Sequence, residues 1–336
     1  MKKLSLLVLG LFLVPTLLLT SCDRGDDPSE DAVATAKFEL MADYMVENNL
    51  DIDLILTNSS GEKFVAAPPA TAGEVDAFLS KYYIMDIRSS DVFAQGHVAG
   101  ANNVAFADIL TEAPKAGSKP ILIICYTGQT ACYGTALLRM YGYPHTQALK
   151  WGMSGWNPNT AAAWNGAITG NIAEGNSNWS YAAAPPVVTY KYPEITSQSS
   201  NGEDILKARV EEMIALGFQG VNGSDVLANP SGYFINNYFS ETDYLAFGHI
   251  NGAQRILPFK LGDDSYLALN PASNAKLVTY CYTGQTSAVI TACLRVLGYD
   301  AYSLKFGMNG LYNSNPAWSS NKWSASVPKN YPITDN

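Results

Sequence analysis

An α/β fold built twice, with a parallel sheet in each half, is predicted by three features of the 336-residue sequence. One is a repeated stretch. Ile121-Leu-Ile-Ile-Cys125-Tyr-Thr-Gly128-Gln-Thr130-Ala131 returns as Leu277-Val-Thr-Tyr-Cys281-Tyr-Thr-Gly284-Gln-Thr286-Ser287. Each copy is an apolar run of strand length, a cysteine, a tight polar loop with a central glycine, and then a segment of helical periodicity. The second feature is the alternation of short apolar runs with helical patterns along both halves, which favours a parallel sheet. The third is that the order of motifs in the first half recurs in the second, as in a tandem duplication.

Before the first half lies a targeting signal. Lys2 and Lys3 precede an apolar run from Leu4 to Leu19, short for a membrane span and suited to a secretory leader. It ends in Leu19-Thr20-Ser21-Cys22, which resembles the lipobox of bacterial lipoproteins. That resemblance implies cleavage before Cys22 and lipidation of the new terminus, giving an extracytoplasmic, membrane-anchored lipoprotein of a bacterium. Asp23 leaves the choice between inner and outer membrane open. Residues 1–22 are thus assigned to the signal and 23–35, acidic and small, to a flexible tether.

The first half, 36–197, opens with a helix expected over Phe38–Asn48, followed by Pro68-Pro69 and a helix over Ala72–Lys81. The strand Tyr82–Met85 runs into Asp86-Ile87-Arg88, and a turn-rich passage, Gly96-His97 to Val104, follows. Next come the Cys125 strand, its loop, a helix to Tyr141, Ala148-Leu149 and Trp151 to Trp156. The second half, 198–336, repeats the scheme. It has a helix over Asp204–Leu216, the run Tyr233–Ile235, then Gly248-His249, the Cys281 loop, a helix to Leu297 and Phe306 to Gly310. Asn178-Trp179-Ser180 and Tyr192 to Thr196 rhyme with Trp323-Ser324 and Tyr331 to Thr334, and the Ser, Asn and Gly-rich stretch 196–204 marks the boundary.

A cysteine between the carboxyl end of a strand and the amino end of a helix faces unpaired backbone N–H groups and the positive end of the helix dipole. Such surroundings favour the thiolate, so Cys125 and Cys281 are candidate nucleophiles with lowered pKa values. A small core cysteine would also follow a buried strand. The recurrence of the whole hexapeptide from Cys to Thr, within diverged surroundings, favours the nucleophile. Cys132 corresponds to Ala288 and Cys293 to Leu137, so both are expected to pack on helix faces, with Cys132 as a resolving thiol the alternative. Neither CxxC pairs nor a Cys/His zinc pattern occurs, and no metal or organic cofactor is expected. The net charge of -9 argues against nucleic acid as a partner.

The ordered set Asp86-x-Arg88, Gly96-His97-x-x-Gly100-Ala101, Cys125-x-x-Gly128-x-Thr130-Ala131 and Gly152 to Trp156 resembles the rhodanese-like sulfurtransferases. The resemblance implies two tandem rhodanese-like domains, each a doubly wound parallel sheet with helices on both faces and the cysteine loop at its carboxyl edge. It implies that Cys125, Cys281 or both take a sulfane sulfur from a small donor, hold it as a persulfide and pass it to a thiol or cyanide-like acceptor. The amides of Tyr126, Thr127, Gly128, Gln129 and Thr130, and of Tyr282, Thr283, Gly284, Gln285 and Thr286, would stabilise the sulfur anion. Asp86, Arg88, His97 and His249 would support the fold around the site.

The sequence departs from that family in places. No loop side chain is cationic, which weakens the case for thiosulfate, within a thiosulfate- or mercaptopyruvate-type activity whose donor is left open. Lys150 and Lys305 stand nearby as solvated lysines or as an outside source of charge. Asp86 and Arg88 align with Asn236 and Tyr238, so Cys125 ranks ahead of Cys281. Cysteine phosphatases use a loop one residue longer that ends in arginine, unlike Cys125 to Thr130. The main alternative to an enzyme is a membrane-tethered sulfur carrier or protein-binding module.

Overall fold

In the computed structural model, which describes residues 30–272 and 274–335, each half holds one parallel sheet. The first contains β1 (Val65–Ala66), β2 (Tyr83–Asp86), β3 (Asn102–Asn103), β4 (Ile121–Ile124) and β5 (Gln147–Leu149) in the order β1-β5-β4-β2-β3. The second contains β7 (Gly220–Val221), β8 (Phe234–Asn237), β10 (Leu277–Tyr280) and β11 (Ala301–Leu304) in the order β7-β11-β10-β8. A two-stranded ribbon pairs β6 (Trp179–Ser180) with β9 (His249–Ile250). The cysteine strands β4 and β10 are flanked on both sides, and all four residues of each are buried, as suits strands covered on both faces.

Register places Asp86 beside Ile124 and Asn237 beside Tyr280, one residue before each cysteine. Asp86 and Arg88 therefore correspond to Asn237 and Phe239, not to Asn236 and Tyr238. The sequence alignment slipped because the stretch leading to Gly248-His249 is longer than its counterpart, and the extra residue lies beyond the strand rather than within it.

The helices Gln129–Tyr141 and Gln285–Val296 pack on each other at the centre of the molecule. Their facing residues, among them Ala131, Cys132, Ala136, Ala288, Val289 and Ala292, are completely buried in one apolar core that runs through both halves. Cys132 and Cys293 are packing residues of this core, as expected. Small side chains let the two helices approach closely. The helix Gly202–Leu216 covers both the first cysteine helix and the opening helix, Glu30–Glu47. That opening helix takes in residues 30–35, expected to be tether. Residues 23–29 and Cys22 lie outside the described residues.

The boundary near 197 is crossed in both directions. His97 exchanges backbone hydrogen bonds with Thr334 at 2.9 and 2.8 Å, and Tyr331 N–H reaches Trp156 C=O at 3.0 Å. The last residues of the chain thus complete the first domain. Reciprocally, Ala173 N–H bonds to Leu311 C=O, and Ser180 pairs with His249. Each histidine turn has backbone groups to satisfy, and each takes its partner from the segment that follows the other domain. Residues 173–180 and 329–334 belong physically to the opposite halves from those read in the sequence. The rhyme of Trp179 with Trp323 is also not structural. Trp323 stacks on Trp164 at 5.1 Å between the halves, while Trp179 lies edge-on to Tyr312.

Candidate active site

Both cysteines sit where a buried strand gives way to a loop and a helix. Cys125 is 6% exposed and Cys281 is 2% exposed. Each loop turns on a glycine in the left-handed region, Gly128 at φ 82° and Gly284 at φ 75°, which caps the helix behind it. The amide that approaches each sulfur most directly is the one after the loop. Ala131 N–H lies 3.3 Å from Cys125 Sγ, and Ser287 N–H lies 3.4 Å from Cys281 Sγ. The amides of Thr127 and Gly128 also favour the Cys125 thiolate. The expected cradle of residues 126–130 and 282–286 is therefore one residue too short in each half.

The charge balance at Cys125 differs from the sequence expectation. Burial pushes its thiol up; the amides of Ala131, Thr127 and Gly128 oppose this without reversing it, and the Asp86 carboxylate adds to the rise. An electropositive helix end is present, but the sulfur is nearly sealed from water, and desolvation of the anion outweighs the amides. At Cys281 the sulfur has an additional partner, the Ser287 hydroxyl at 3.7 Å, which in turn meets the Ser303 hydroxyl at 2.8 Å. The corresponding residue behind Cys125 is Ala131.

A short helix buttresses each loop from behind. Met153 and Ser154 N–H groups bond to the carbonyls of Cys125 and Tyr126 at 2.9 and 3.0 Å. Met308 and Asn309 N–H groups do the same for Cys281 and Tyr282 at 2.9 and 3.1 Å. The chain can come this close only because Gly152 and Gly307 have no side chain. Both have positive φ, and a Cβ at either would land on the cysteine carbonyl. Their predecessors, Trp151 and Phe306, are held left-handed at φ 68° and 63°.

Asp86 and Arg88 form a buried, two-pronged pair. Arg88 Nε donates to Asp86 Oδ1 at 2.9 Å and Nη2 donates to Oδ2 at 2.6 Å and to Gly96 C=O at 2.8 Å. The Arg88 guanidinium also lies 5.5 Å from the centre of the Tyr126 ring. In the second half Asn237 donates to the Tyr280 hydroxyl at 2.8 Å, and Phe239 stacks on Tyr282 at 4.2 Å. The Tyr282 hydroxyl donates to Asp243. His97 and His249 meet their own turns, each stacked at 3.8 Å on an aromatic ring, Phe93 and Tyr244. They act as turn residues in this arrangement, and burial lowers the His249 pKa. Lys150 is not a free solvated lysine. It donates to Asn321 across the domain boundary at 3.0 Å, and burial lowers its pKa.

The two loops face each other across the core. Gln129 Oε1 accepts the Phe306 N–H at 2.8 Å, and Gln285 Nε2 donates to the Thr127 C=O at 3.2 Å. Trp151, Trp164, Trp323 and Phe306 form an aromatic cluster beside them. Sequence reasoning missed Phe239, Trp164, Trp323 and the crossed role of the glutamines. The repetition of glutamine in both loops was the one available signal.

The Rhodanese-like domain family matches the chain twice, over residues 71–159 and 239–314, so each cysteine loop falls inside one match. Among solved structures, a rhodanese-related protein from Thermoplasma volcanium is similar to the chain at 16% identity, covering 26% of this chain and 85% of that one, with a TM-score of 0.23. A thiosulfate sulfurtransferase from Pseudomonas aeruginosa is similar at 17% identity over 88% of this chain and 49% of its own, with a TM-score of 0.28. The chain thus spans 49% of that protein's length. A 3-mercaptopyruvate sulfurtransferase from Leishmania major is similar at 13% identity over 75% of each chain, with a TM-score of 0.27.

Proposed function

Because this chain belongs to the rhodanese-like family and carries that domain twice, we propose that it is a sulfurtransferase working through a cysteine persulfide. The observation that carries the proposal is the set of backbone amides turned on Cys125 Sγ at the carboxyl end of a central parallel strand. The Cys125 thiolate attacks the outer sulfur of a donor, forming the S–S bond as the donor's own bond to that sulfur breaks and the remainder leaves with the electron pair. An acceptor thiolate or cyanide then attacks the outer sulfur of the persulfide, taking it and returning Cys125 to the thiolate. The amides hold the anion in both states. Cys281 has the same backbone surroundings and is proposed as a second persulfide site.

The absence of cationic side chains in both loops, Tyr126 to Thr130 and Tyr282 to Thr286, favours a neutral or organic donor over thiosulfate. The near-complete enclosure of both sulfurs favours a second reading, a module that carries sulfur or binds a partner without rapid turnover. The proposal also places the chain outside the cytoplasm of a bacterium, held to a membrane by a lipid on Cys22. Metabolic labelling with a tagged fatty acid should then mark the parent chain and not a Cys22→Ala variant.

Intact-protein mass spectrometry of the reduced chain truncated after Cys22 tests the enzyme proposal. The protein is incubated with thiosulfate or with an uncharged sulfur donor, beside the Cys125→Ser and Cys281→Ser variants. A cyanide-labile gain of one sulfur at each active cysteine, lost in the variant that removes that cysteine, is the expected result. No uptake from any donor, with both thiols free to alkylation, leaves the binding module in its place.

A further inference from the structure

The peptide unit between Thr127 and Gly128 faces two different environments. Its N–H, on Gly128, is one of the amides that favour the Cys125 thiolate. Its C=O, on Thr127, accepts Gln285 Nε2 at 3.2 Å and Trp164 Nε1 at 3.2 Å. Neither donor belongs to the Cys125 loop. Gln285 opens the cysteine helix of the second domain, and Trp164 lies in the helix Ala162–Ala167. We propose that Gln285 and Trp164 are positioning residues for Cys125, fixing and polarising the peptide whose N–H faces the sulfur.

The peptide is planar, so two donors that fix its oxygen also fix the direction of the N–H on its opposite side. Hydrogen bonds accepted by a carbonyl make the amide of the same peptide a stronger donor, an effect that grows where water is excluded. Here it is excluded. Gln285 is 3% exposed and Trp164 is completely buried. The Gln285 amide also fills the space above Gly128, where a Cβ would overlap Gln285 Nε2. The absence of a side chain at Gly128 is therefore demanded by the opposite domain as well as by its own φ.

A reciprocal arm supports the other sulfur. Gln129 donates to Thr127 Oγ1 at 3.1 Å while its Oε1 accepts the Phe306 N–H at 2.8 Å. Phe306 starts the turn whose Met308 N–H holds the Cys281 carbonyl at 2.9 Å. Each loop glutamine is thus built into the other loop's support. The second domain serves Cys125 through Gln285 whether or not Cys281 itself takes up sulfur.

The purpose of this arrangement rests on Cys125 being the sulfur-bearing group, but its test needs no sulfur transfer. The rate of iodoacetamide alkylation at Cys125 is followed from pH 6 to 10 by peptide mass spectrometry, in the full soluble chain and in Gln285→Met and Trp164→Phe. Gln285→Met keeps side-chain bulk and Trp164→Phe keeps an aromatic ring, and each removes one donor. Asp86 and Cys132, the titratable groups that face Cys125, remain in place. Each variant is expected to raise the apparent Cys125 pKa by about half a unit and so slow alkylation at pH 7 about threefold, with the double variant larger. An unchanged pH profile in either variant, with an unfolding midpoint like that of the parent, overturns the proposal. Should Gln285→Met fail to fold, Trp164→Phe decides alone. A shifted profile in a chain that accepts no sulfur would defeat the sulfurtransferase proposal and leave this one standing.

Discussion

The two cysteine loops share a backbone and differ in what supports it. Around Cys125 the support is ionic: Asp86 and Arg88 pair in the interior and the guanidinium underlies Tyr126. Around Cys281 the same positions hold Asn237 and Phe239, and a stack of Phe239 on Tyr282 takes the place of the cation. Yet the amide after each loop reaches its sulfur at nearly the same distance, 3.3 and 3.4 Å, and both glycine buttresses repeat. The cradle is a property of the strand, the loop glycines and the short helix behind. The side chains beneath it are interchangeable as long as each set is internally satisfied, charge with charge or ring with ring.

The largest effect expected from that difference follows from breaking one set without completing the other. Arg88→Met leaves Asp86 buried and unpaired, and the chain should lose about 3–5 kcal/mol of stability in urea unfolding. The double variant Asp86→Asn with Arg88→Phe carries the second domain's residues at these two positions, without the hydroxyl that Tyr280 supplies to Asn237, and should regain part of that loss. If the double variant is no more stable than the single one, the two supports are not equivalent and the comparison fails.

The shared buttress should be equally indispensable in both halves. Gly152→Ala and Gly307→Ala each force a Cβ onto a cysteine carbonyl in a left-handed stretch of chain. Displacing the loop by a fraction of an ångström should slow sulfur uptake at the adjacent cysteine on the order of tenfold to a hundredfold, with less effect at the other. Site-resolved mass spectrometry separates the two. Equal loss at both cysteines from either variant would mean that the loops move as one body.

Fold class and domain duplication were legible because they rest on local patterns: apolar strands, helical periodicity and the glycine between Cys125 and the helix at Gln129. The site's backbone was legible for the same reason. Its electrostatics were not, because the rise in the Cys125 pKa comes from burial between two domains, and no local pattern at Cys125 records that. The exchanged segments were hidden likewise. The partner of His97 is Thr334, at the other end of the chain, and the sequence around Thr334 looks like an ordinary tail. The correspondence of Arg88 with Phe239 was missed by one residue, since only strand register could place the extra residue after Asn237.

Burial of Cys125 sets the next effect. Its thiol is raised by desolvation, so thiolate chemistry at Cys125 should still be gaining rate with pH beyond the ordinary thiol range. The linked stability runs the other way. The protonated thiol is the form the fold prefers, so this contribution is complete below the thiol's unfolded pKa and is lost as pH rises through the higher folded value. Alkylation and unfolding measured on the same samples should therefore move in opposite directions with alkali, and Cys125→Ser should flatten part of the unfolding trend. A Cys125 rate already level at neutral pH would show that the amides, not burial, govern the sulfur.

The smallest effect belongs to the histidine turns, alike in shape. His249 is 2% exposed, stacked on Tyr244 with Nδ1 facing the Tyr244 carbonyl, and burial lowers its pKa. The fold thus prefers the neutral ring while the unfolded chain accepts a proton at the ordinary value, about 6.5. This contribution is intact above that value and is lost as pH falls through the lower folded pKa. Acid should loosen the ribbon of β6 and β9, since Ser180 pairs with His249 there, and the strap from residues 173–180 should detach first. Amide exchange at Asn251, whose N–H is held by the Asn178 carbonyl at 2.8 Å, reports the detachment directly. His249→Gln should remove the acid dependence of that exchange. If the dependence persists unchanged, protonation of another group releases the strap.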